Sequence, residues 1–212
     1  MYKRIRIRSY EVGLHFHDGE FKGLLSEGRH WLFNPRLKHR VDVVSKRDPW
    51  LVHDKLDMIV KSGALGERAT VVDLKDHERA LVWVDGRFHR ILSAGLYAYW
   101  NGMRDVRVET VDARSARFEH DDLKVIVRAA DACRLLDVCA VNRNCAGVLF
   151  VDGRFIDTLA PGLYAFWKGA ADAKLVEVDL RETVTDVSGQ EIMTADKVTL
   201  RMNAVVTYRV TD

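Results

Sequence analysis

The amino-acid sequence predicts an α+β fold that is predominantly antiparallel β, made of three tandem small β-rich units with short helices. The first observation is a recurring Asp-Gly pair that follows an apolar run and precedes a Phe, with its glycines at Gly19, Gly86 and Gly153. Gly86 follows Gly19 by 67 residues, and Gly153 follows Gly86 by the same number. The second observation is an alternation of apolar and polar residues in several segments, which is typical of strands with one buried face.

This spacing divides the 212-residue chain into units at residues 1–76, 77–143 and 144–212. The blocks "ERALVWVDGRFHRILSAGLYAYWNG" and "CAGVLFVDGRFIDTLAPGLYAFWKG" agree at 12 of 25 positions without a gap, and "EVGLHFHDGEFKGLLSEGRHWLFNP" is a more diverged copy. A unit of this size buries only about 60% of its unfolded surface. We therefore expect the three units to pack in series.

Each unit is predicted to open with a meander of three short strands. Asp-Gly between apolar runs favours a type I′ hairpin turn, because both central residues of that turn need positive φ. A second turn follows at "APGL", where Pro and Gly occupy the positions that a type II turn prefers. The residues that define the first turn are Asp18, Gly19, Asp85, Gly86, Asp152 and Gly153.

The segments after each meander predict one further strand and short helices. The strand is clearest in "KLVEVDL", and the helices are expected at residues 62–68 and 129–136. In the third unit a longer connection, with Ser188 in a loop, is expected before a strong strand at residues 197–210. Such a strand needs more sheet to pair with, so we expect the gene product to continue beyond Asp212.

The composition excludes several classes of protein. The chain has 33 Lys and Arg against 31 Asp and Glu, and 48% of its residues are hydrophobic, which argues against disorder and against a general polyanion binder. No run approaches the ~18 apolar residues of a membrane span, and "MYKRIRIRSY" lacks the apolar stretch of a signal peptide. We expect a cytoplasmic chain, with a peripheral position at the inner face of the membrane as a second location, and no nucleic-acid partner.

The sequence holds no recognisable catalytic motif. It contains no phosphate loop, no G-x-S-x-G elbow and no H-E-x-x-H pair, so we predict a chain that is not an enzyme and that has no catalytic residue, cofactor or metal. The three cysteines are spaced six residues apart, which fits neither a disulfide framework nor a zinc knuckle. They are interpreted as reduced thiols that act as small buried hydrophobes.

His15 and His17 lie two residues apart on the first strand of the first meander, so their rings share one face. This spacing is compatible with a metal site. The alternative is a polar capping face, because the equivalent positions hold Val82 and Val84 in the second unit. A terminal repeat needs such a face where no neighbour covers it.

Arg4, Arg6 and Arg8 alternate with apolar residues at the N-terminus, which places the three guanidinium groups on one face of an extended segment. One interpretation is a contact surface for anionic lipid headgroups. The other is a charged edge strand that prevents unwanted sheet addition.

Trp31, Trp100 and Trp167 recur near the end of the third strand of each unit, which favours packing over base stacking.

Four segments of the third unit carry a resemblance: "GVLFVDGRF", "LAPGLYAFW", "VEVDLRETV" and "SGQEIMTADKVTLRMNAVVTYRV". In this order they resemble the opening half of the SPFH domain, also called the band-seven or stomatin/prohibitin domain, and most of all its slipin subfamily. The resemblance implies a non-enzymatic, oligomer-forming domain that scaffolds membrane microdomains and recruits membrane proteins. Family members usually carry a membrane-inserted segment before the domain, and here two copies of its opening motif take that place.

Two functions follow as hypotheses. The first is a slipin- or stomatin-like scaffold that self-assembles into a homo-oligomer and organises membrane-associated complexes, with membrane lipids and membrane proteins as further partners. The alternative is a protein- or peptide-binding module that uses exposed sheet edges for strand addition.

Overall fold

The computed structural model describes residues 2–33 and 38–211. Antiparallel strands dominate and the helices are few and short, so the predicted β-rich α+β fold is confirmed. The described residues form two compact units, one of residues 2–114 with Arg128–Ala132 and one of Ser115–Val127 with residues 133–211. The division into three repeat units at residues 1–76, 77–143 and 144–212 stays a prediction.

The first compact unit contains ten strands. They are β1 (Tyr2–Ile7), β2 (Glu11–His17), β3 (Glu20–Leu25), β4 (Gly28–Phe33), β5 (His39–Ser45), β6 (Ala69–Leu74), β7 (Glu78–Val84), β8 (Arg87–Leu92), β9 (Gly95–Trp100) and β10 (Val106–Asp112). Between β5 and β6 lie helix α1 (Leu56–Lys61) and a 3₁₀ turn (Gly66–Arg68). The strands form the sheets β3-β2-β5, β1-β4, β10-β7-β8 and β6-β9.

The rest of the described chain holds eight strands and two helices. They are β11 (Arg117–Phe118), α2 (Leu123–Ile126), α3 (Ala132–Leu135), β12 (Leu136–Val141), β13 (Cys145–Val151), β14 (Arg154–Leu159), β15 (Gly162–Trp167), β16 (Ala173–Asp179), β17 (Thr183–Met193) and β18 (Thr199–Tyr208). The strands form the sheets β11-β15-β12, β14-β13-β16 and β17-β18.

One strand plan occurs at three places, which we call the first block (β1–β5), the second block (β6–β10) and the third block (β12–β16). In each block the second strand is central to a three-stranded sheet, and the first strand pairs with the fourth. The register is shared as well, since Ile7 pairs with Gly28 in the first block and Leu74 with Gly95 in the second. The three blocks therefore share one backbone plan and differ in their side chains. In the third block β11 adds a further strand to the β12–β15 sheet.

The Asp-Gly pairs adopt the same conformation in all three blocks. The aspartates have φ of 50° to 51° and the glycines that follow have φ of 73° to 84°. Two consecutive residues with positive φ are what a type I′ turn requires, and only Gly and a few polar residues tolerate that region. Each turn connects the central strand of its sheet to the next strand along the chain.

A small residue lets the two sheets of a block approach each other. A Cβ atom placed on Gly13 would lie 2.6 Å from Cδ1 of Ile7, and one on Gly147 would lie 2.7 Å from Cγ2 of Val141. The equivalent residue of the second block is Ala80, which is fully buried. Close packing at this position fixes how the central strand faces the strand before it.

Three local predictions need correction. The helix expected at residues 62–68 lies earlier, as α1, because Ile59 is buried there and Gly63 has a φ of 69° just after the helix. The helix expected at residues 129–136 is present as the four-residue α3, but α2 was not predicted. Ser188 lies in β17 rather than in a loop, because residues 183–193 pair with β18 around a bulge.

Candidate functional site

The candidate site is the solvent-facing side of the two-stranded β1–β4 sheet. Directly opposite residues of an antiparallel pair share a face, and here Arg4 lies opposite Trp31 and Arg6 opposite Arg29. Arg8 follows the end of β1 and is also exposed. We call this surface the outer β1–β4 face, and it consists of Arg4, Arg6, Arg8, Arg29, Trp31 and Phe33.

Alternation along β1 explains why the arginines face outward. Ile7 is buried and Ile5 is half-buried, so the apolar side of the strand is directed into the first block. The arginines between them are exposed, as the side-chain period of two requires. On the facing strand, Trp31 is 65% exposed and Phe33 is 56% exposed, so the face combines cations with large aromatic surface.

The arginines of this face differ in their contacts. The Arg4 guanidinium lies 5.7 Å from the ring centroid of Trp31, within the range of a cation–π contact. Arg8 donates a hydrogen bond to the Tyr10 hydroxyl, which raises the pKa of Arg8 above its ordinary value. Arg6 and Arg29 form no ion pair with any residue in the described ranges.

An open groove of about 520 Å³ runs along the end of this face. Arg6, Arg8 and Arg29 contribute three guanidinium groups to its lining, and Glu27 contributes a carboxylate. Planar guanidinium groups bind phosphate or carboxylate through two parallel hydrogen bonds. The groove is thus suited to an anionic group.

The equivalent face of the second block is covered in part. There Val71 lies opposite Ala98 and Ala69 opposite Trp100. Ala69, Ala98 and Trp100 belong to one core cluster with Leu14 and other side chains of β2 and α1. The positions of Trp31 and Phe33 are therefore buried and apolar in the second block, whereas those of Arg4 and Arg6 hold Val71 and Asp73, which are exposed.

The prediction that the three tryptophans pack alike is wrong for Trp31. Trp100 and Trp167 are buried, at 1% and 3% exposure, whereas Trp31 is largely exposed. Phe33 on the same face is exposed as well, so the difference lies in what covers the sheet. The counterpart of Trp100, 67 residues earlier, is Phe33 rather than Trp31. Counting residues from the Asp-Gly turn would have found this.

The turn aspartates bind the loop that follows the fourth strand. Asp85 Oδ1 accepts the backbone N–H of Asp105 at 3.1 Å, and Asp152 Oδ1 accepts that of Asp172 at 3.0 Å. Asp18 instead pairs with Lys38, whose ammonium group lies 2.7 Å away and lowers the pKa of that carboxyl. These contacts hold a turn in place and bring no reactive groups together.

A second cavity, of about 410 Å³, collects charged side chains around Phe16. Arg40 and His53 both contact Asp42, with Arg40 Nε 2.8 Å from Asp42 Oδ1 and His53 Nε2 3.2 Å from Asp42 Oδ2. Burial opposes ionisation of Asp42, but the hydrogen bonds from Arg40 and His53 outweigh it and lower its pKa. His53 Nδ1 accepts the Lys55 backbone N–H, so both ring nitrogens are engaged by protein groups.

A third histidine lies beside His15 and His17, and the spacing in the sequence did not predict it. His39 lies opposite His17 on β5, and its Nδ1 is 3.0 Å from Nε2 of His15. Burial, followed by the nearby His39 and His17, lowers the pKa of His15. No set of three or more His, Cys, Asp or Glu within residues 2–33 and 38–211 is arranged to hold a metal ion. The capping role of this face stays a prediction.

The cysteines differ from expectation in their burial. Cys133 is exposed, Cys139 and Cys145 are half-buried, and no disulfide joins them. The interpretation of all three as small buried hydrophobes is therefore wrong. Among the helices of the described residues, none has the length and apolar character needed to cross a bilayer.

Comparison with known proteins defines the class of the C-terminal part of the chain. The family model for the SPFH domain / Band 7 family matches residues 140–212. This segment is similar to that family, and the resemblance predicted for the third unit is confirmed. The match begins close to the start of the third block, so residues 1–139 lie outside it.

Within this class the chain is similar to archaeal proteins, two of which are described as stomatin homologues. It is 46% identical over 65 residues to a stomatin homolog of Pyrococcus horikoshii, which is 31% of this chain and 24% of that protein. It is 39% identical over 75 residues to an uncharacterized protein of Methanocaldococcus jannaschii, or 35% and 37% of the two chains. The chain thus spans about a quarter to two fifths of the length of these relatives. No solved structure gave a significant match.

Proposed function

We propose that this chain is a non-enzymatic, membrane-associated stomatin-like protein that self-assembles and organises membrane complexes. The SPFH match of residues 140–212 and the similarity to stomatin homologues support the membrane association. The three blocks, with their common strand plan, are proposed to be tandem repeats in which the SPFH segment is the last. Self-assembly is supported by one further observation on the β17–β18 hairpin.

The hairpin of β17 and β18 has an apolar face that is exposed to solvent. Opposite residues on this face include Ile192 with Leu200 and Thr185 with Val206. Leu200, Met202, Val206 and Tyr208 alternate along β18 and are all exposed. Within the described residues this sheet contains no third strand. The alternation predicted for residues 197–210 is therefore present, but nothing in the described chain covers its apolar side.

An exposed apolar sheet face favours association with another protein surface. Removing apolar surface from water contributes roughly 25 cal/mol per Å², and contiguous patches on soluble chains usually mark interaction sites. The two open edges of the hairpin also present unpaired backbone groups, which extend a sheet when a second strand pairs with them. A second copy of the chain supplies both a matching face and a matching edge.

Sedimentation velocity over a range of concentrations tests this proposal. We expect concentration-dependent oligomers of the 212-residue chain and their loss in the variant Leu200→Lys/Val206→Lys, which places two charges on the apolar face. The matched control is Thr199→Lys/Thr207→Lys, which adds the same charges on the opposite face of β18. A monodisperse wild-type monomer at high concentration, or equal effects of the two variants, would contradict self-assembly through this face.

A peptide-binding module is the second candidate, and the open edges of β17 and β18 favour it. This function predicts a monomeric chain that binds a synthetic extended peptide with the sequence of residues 199–208. Isothermal titration calorimetry with that peptide, and with a scrambled version as control, distinguishes the two candidates. Binding by a chain that remains monomeric would favour the module over the scaffold.

A further inference from the structure

We propose that the outer β1–β4 face docks on an anionic lipid bilayer, with its arginines at the headgroup phosphates and Trp31 and Phe33 in the interfacial layer. The inference rests on the proposed membrane association and names the surface and the partner chemistry that carry it. It extends the N-terminal arginine pattern to residues of a second strand. Those residues are Arg29, Trp31 and Phe33, which the β1–β4 pairing brings beside Arg4 and Arg6.

The charge arrangement points to an anionic partner. Arg6 and Arg29 face each other across the two strands, and like charges in such a position destabilise a sheet. Neither side chain has a carboxylate partner among the described residues. A phosphate placed between them would convert the repulsion into two charge-assisted contacts. The groove beside them is open to solvent and has room for a headgroup.

The aromatic side chains favour a bilayer over a small dissolved anion. Trp31 and Phe33 are more than half exposed although they lie on a strand pair, and exposed rings of this size are unfavourable in water. Aromatic rings, and Trp above all, are enriched at the interface between headgroups and acyl chains. Arginine accompanies them there because its apolar stem stays in the interface while its charged end contacts phosphate.

The strand plan leaves this side of the β1–β4 sheet exposed to solvent. In the second block Ala69, Ala98 and Trp100 on the equivalent face pack against side chains of β2 and α1, so the strand plan allows this side of the sheet to receive a partner. In the first block the positions of Val71 and Ala98 are taken by Arg4 and Trp31. The outer β1–β4 face thus has the position of a packing surface in the strand plan, and its arginines and aromatic rings are side chains that favour a membrane interface.

Two other occupants fit the face less well. A second copy of the same face would bring four arginines against four, which is electrostatically unfavourable. Duplex nucleic acid fits less well because the chain as a whole is nearly neutral, with 33 Lys and Arg against 31 Asp and Glu, although Arg itself can read guanine edges. Arginines with aromatic rings would still allow unspecific single-stranded nucleic acid, so this occupant becomes an outcome of the test.

The test is co-sedimentation of the 212-residue chain with vesicles of phosphatidylcholine that contain 0 or 30 mol% phosphatidylglycerol. We expect binding to the anionic vesicles alone, and a loss on the order of 10- to 100-fold in the variant Arg4→Ser/Arg6→Ser/Arg29→Ser, given the contribution per basic residue near such a surface. Trp31→Ser should weaken binding to anionic vesicles with no change in charge. The matched control, Arg87→Ser/Arg143→Ser/Arg154→Ser, removes three exposed arginines elsewhere and should retain most of the binding.

Several outcomes would overturn the inference. They are equal binding to neutral vesicles, equal losses in the two triple variants, or displacement from vesicles by inorganic phosphate at constant ionic strength, which would indicate a site for free phosphate. Tighter binding to single-stranded RNA than to vesicles would assign the face to nucleic acid. Aggregation of the Arg4, Arg6 and Arg29 variant without lipid, with wild-type vesicle binding absent, would assign the arginines to protection of a strand edge.

Circular dichroism of each variant establishes that the fold is retained, and the Trp31 variant keeps the inference testable if the triple variant fails to fold. The sedimentation experiment on β17–β18 separates the two proposals. If oligomers form but vesicles are not bound, this inference fails while self-assembly stands. If a monomer binds the vesicles, this inference stands while self-assembly fails.

Discussion

The β1–β4 sheet of the first block and the β6–β9 sheet of the second share strand order and register but meet different surroundings. In the second block Ala69, Ala98 and Trp100 on the equivalent face pack against β2 and α1, while Val71 and Asp73 on that face are exposed. In the first block the same face is open and carries arginines with two exposed aromatic rings. The two blocks thus keep the same backbone plan although the side chains on this face differ. The side chains on the face indicate whether another element packs against it.

The largest expected difference between the two sheets concerns their aromatic side chains. Trp100→Ala should lower the free energy of unfolding by about 3–5 kcal/mol, because it removes a buried side chain from the core cluster. Trp31→Ala should change it by less than about 0.5 kcal/mol, because the ring is mostly in solvent. Urea unfolding followed by far-ultraviolet circular dichroism measures both. Similar losses would mean that the two faces are covered alike.

The second prediction concerns the shared turn. Gly19→Ala, Gly86→Ala and Gly153→Ala should each cost about 1–2 kcal/mol, because an L-residue is strained at φ of 73° to 84°. The three losses should agree within about 0.5 kcal/mol if the turns are equivalent in energy as well as in shape. Asp85→Asn is the control in the same turn, since Asn tolerates positive φ. Urea midpoints at a common pH compare the four variants, and a loss confined to one block would end the analogy.

The smallest effect concerns an ion pair that occurs in two blocks and is missing from the other. A hydrogen bond from the Arg114 side chain, aided by its backbone N–H, lowers the pKa of Asp112 to about 2, and Arg181 does the same for Asp179. In the first block the equivalent residue is Ser45, whose Oγ accepts the Arg47 backbone N–H at 3.2 Å. All three blocks therefore have a contact at this loop, but only the second and third have a carboxyl group there whose pKa is lowered.

Carboxyl-detected NMR titration tests the ion pair. We expect Asp179 to titrate near pH 2, and near the ordinary value of about 4 in Arg181→Ala. Because the folded-state pKa lies below the unfolded one, any stabilisation is present above about pH 4 and is lost as the pH falls through about 2. Arg114→Ala is the matched control, which should move Asp112 and leave Asp179 unchanged. An ordinary pKa for Asp179 with Arg181 intact would contradict the contact.

Features that depend on neighbours along the chain were predictable from the sequence. The Asp-Gly turns, the alternating strands of each meander and the SPFH character of residues 140–212 are local or pattern-based, because turn chemistry and strand periodicity require no knowledge of the partner. The outward direction of Arg4, Arg6 and Arg8 follows from the same periodicity. The position of α1 was missed because residues 56–61 form a helix whose packed side chain, Ile59, is recognisable only from the sheet beneath it.

Only the tertiary structure decided which faces are covered. Trp31 and Trp100 both lie near the end of the third meander strand, yet one is exposed and the other is buried, because burial depends on whether another element packs against that side of the sheet. The approach of His39 to His15 and of Arg29 to Arg6 likewise depends on strand register, which joins residues more than twenty positions apart. Local sequence determined the strands and turns of this protein, whereas long-range pairing determined which side chains form its surfaces.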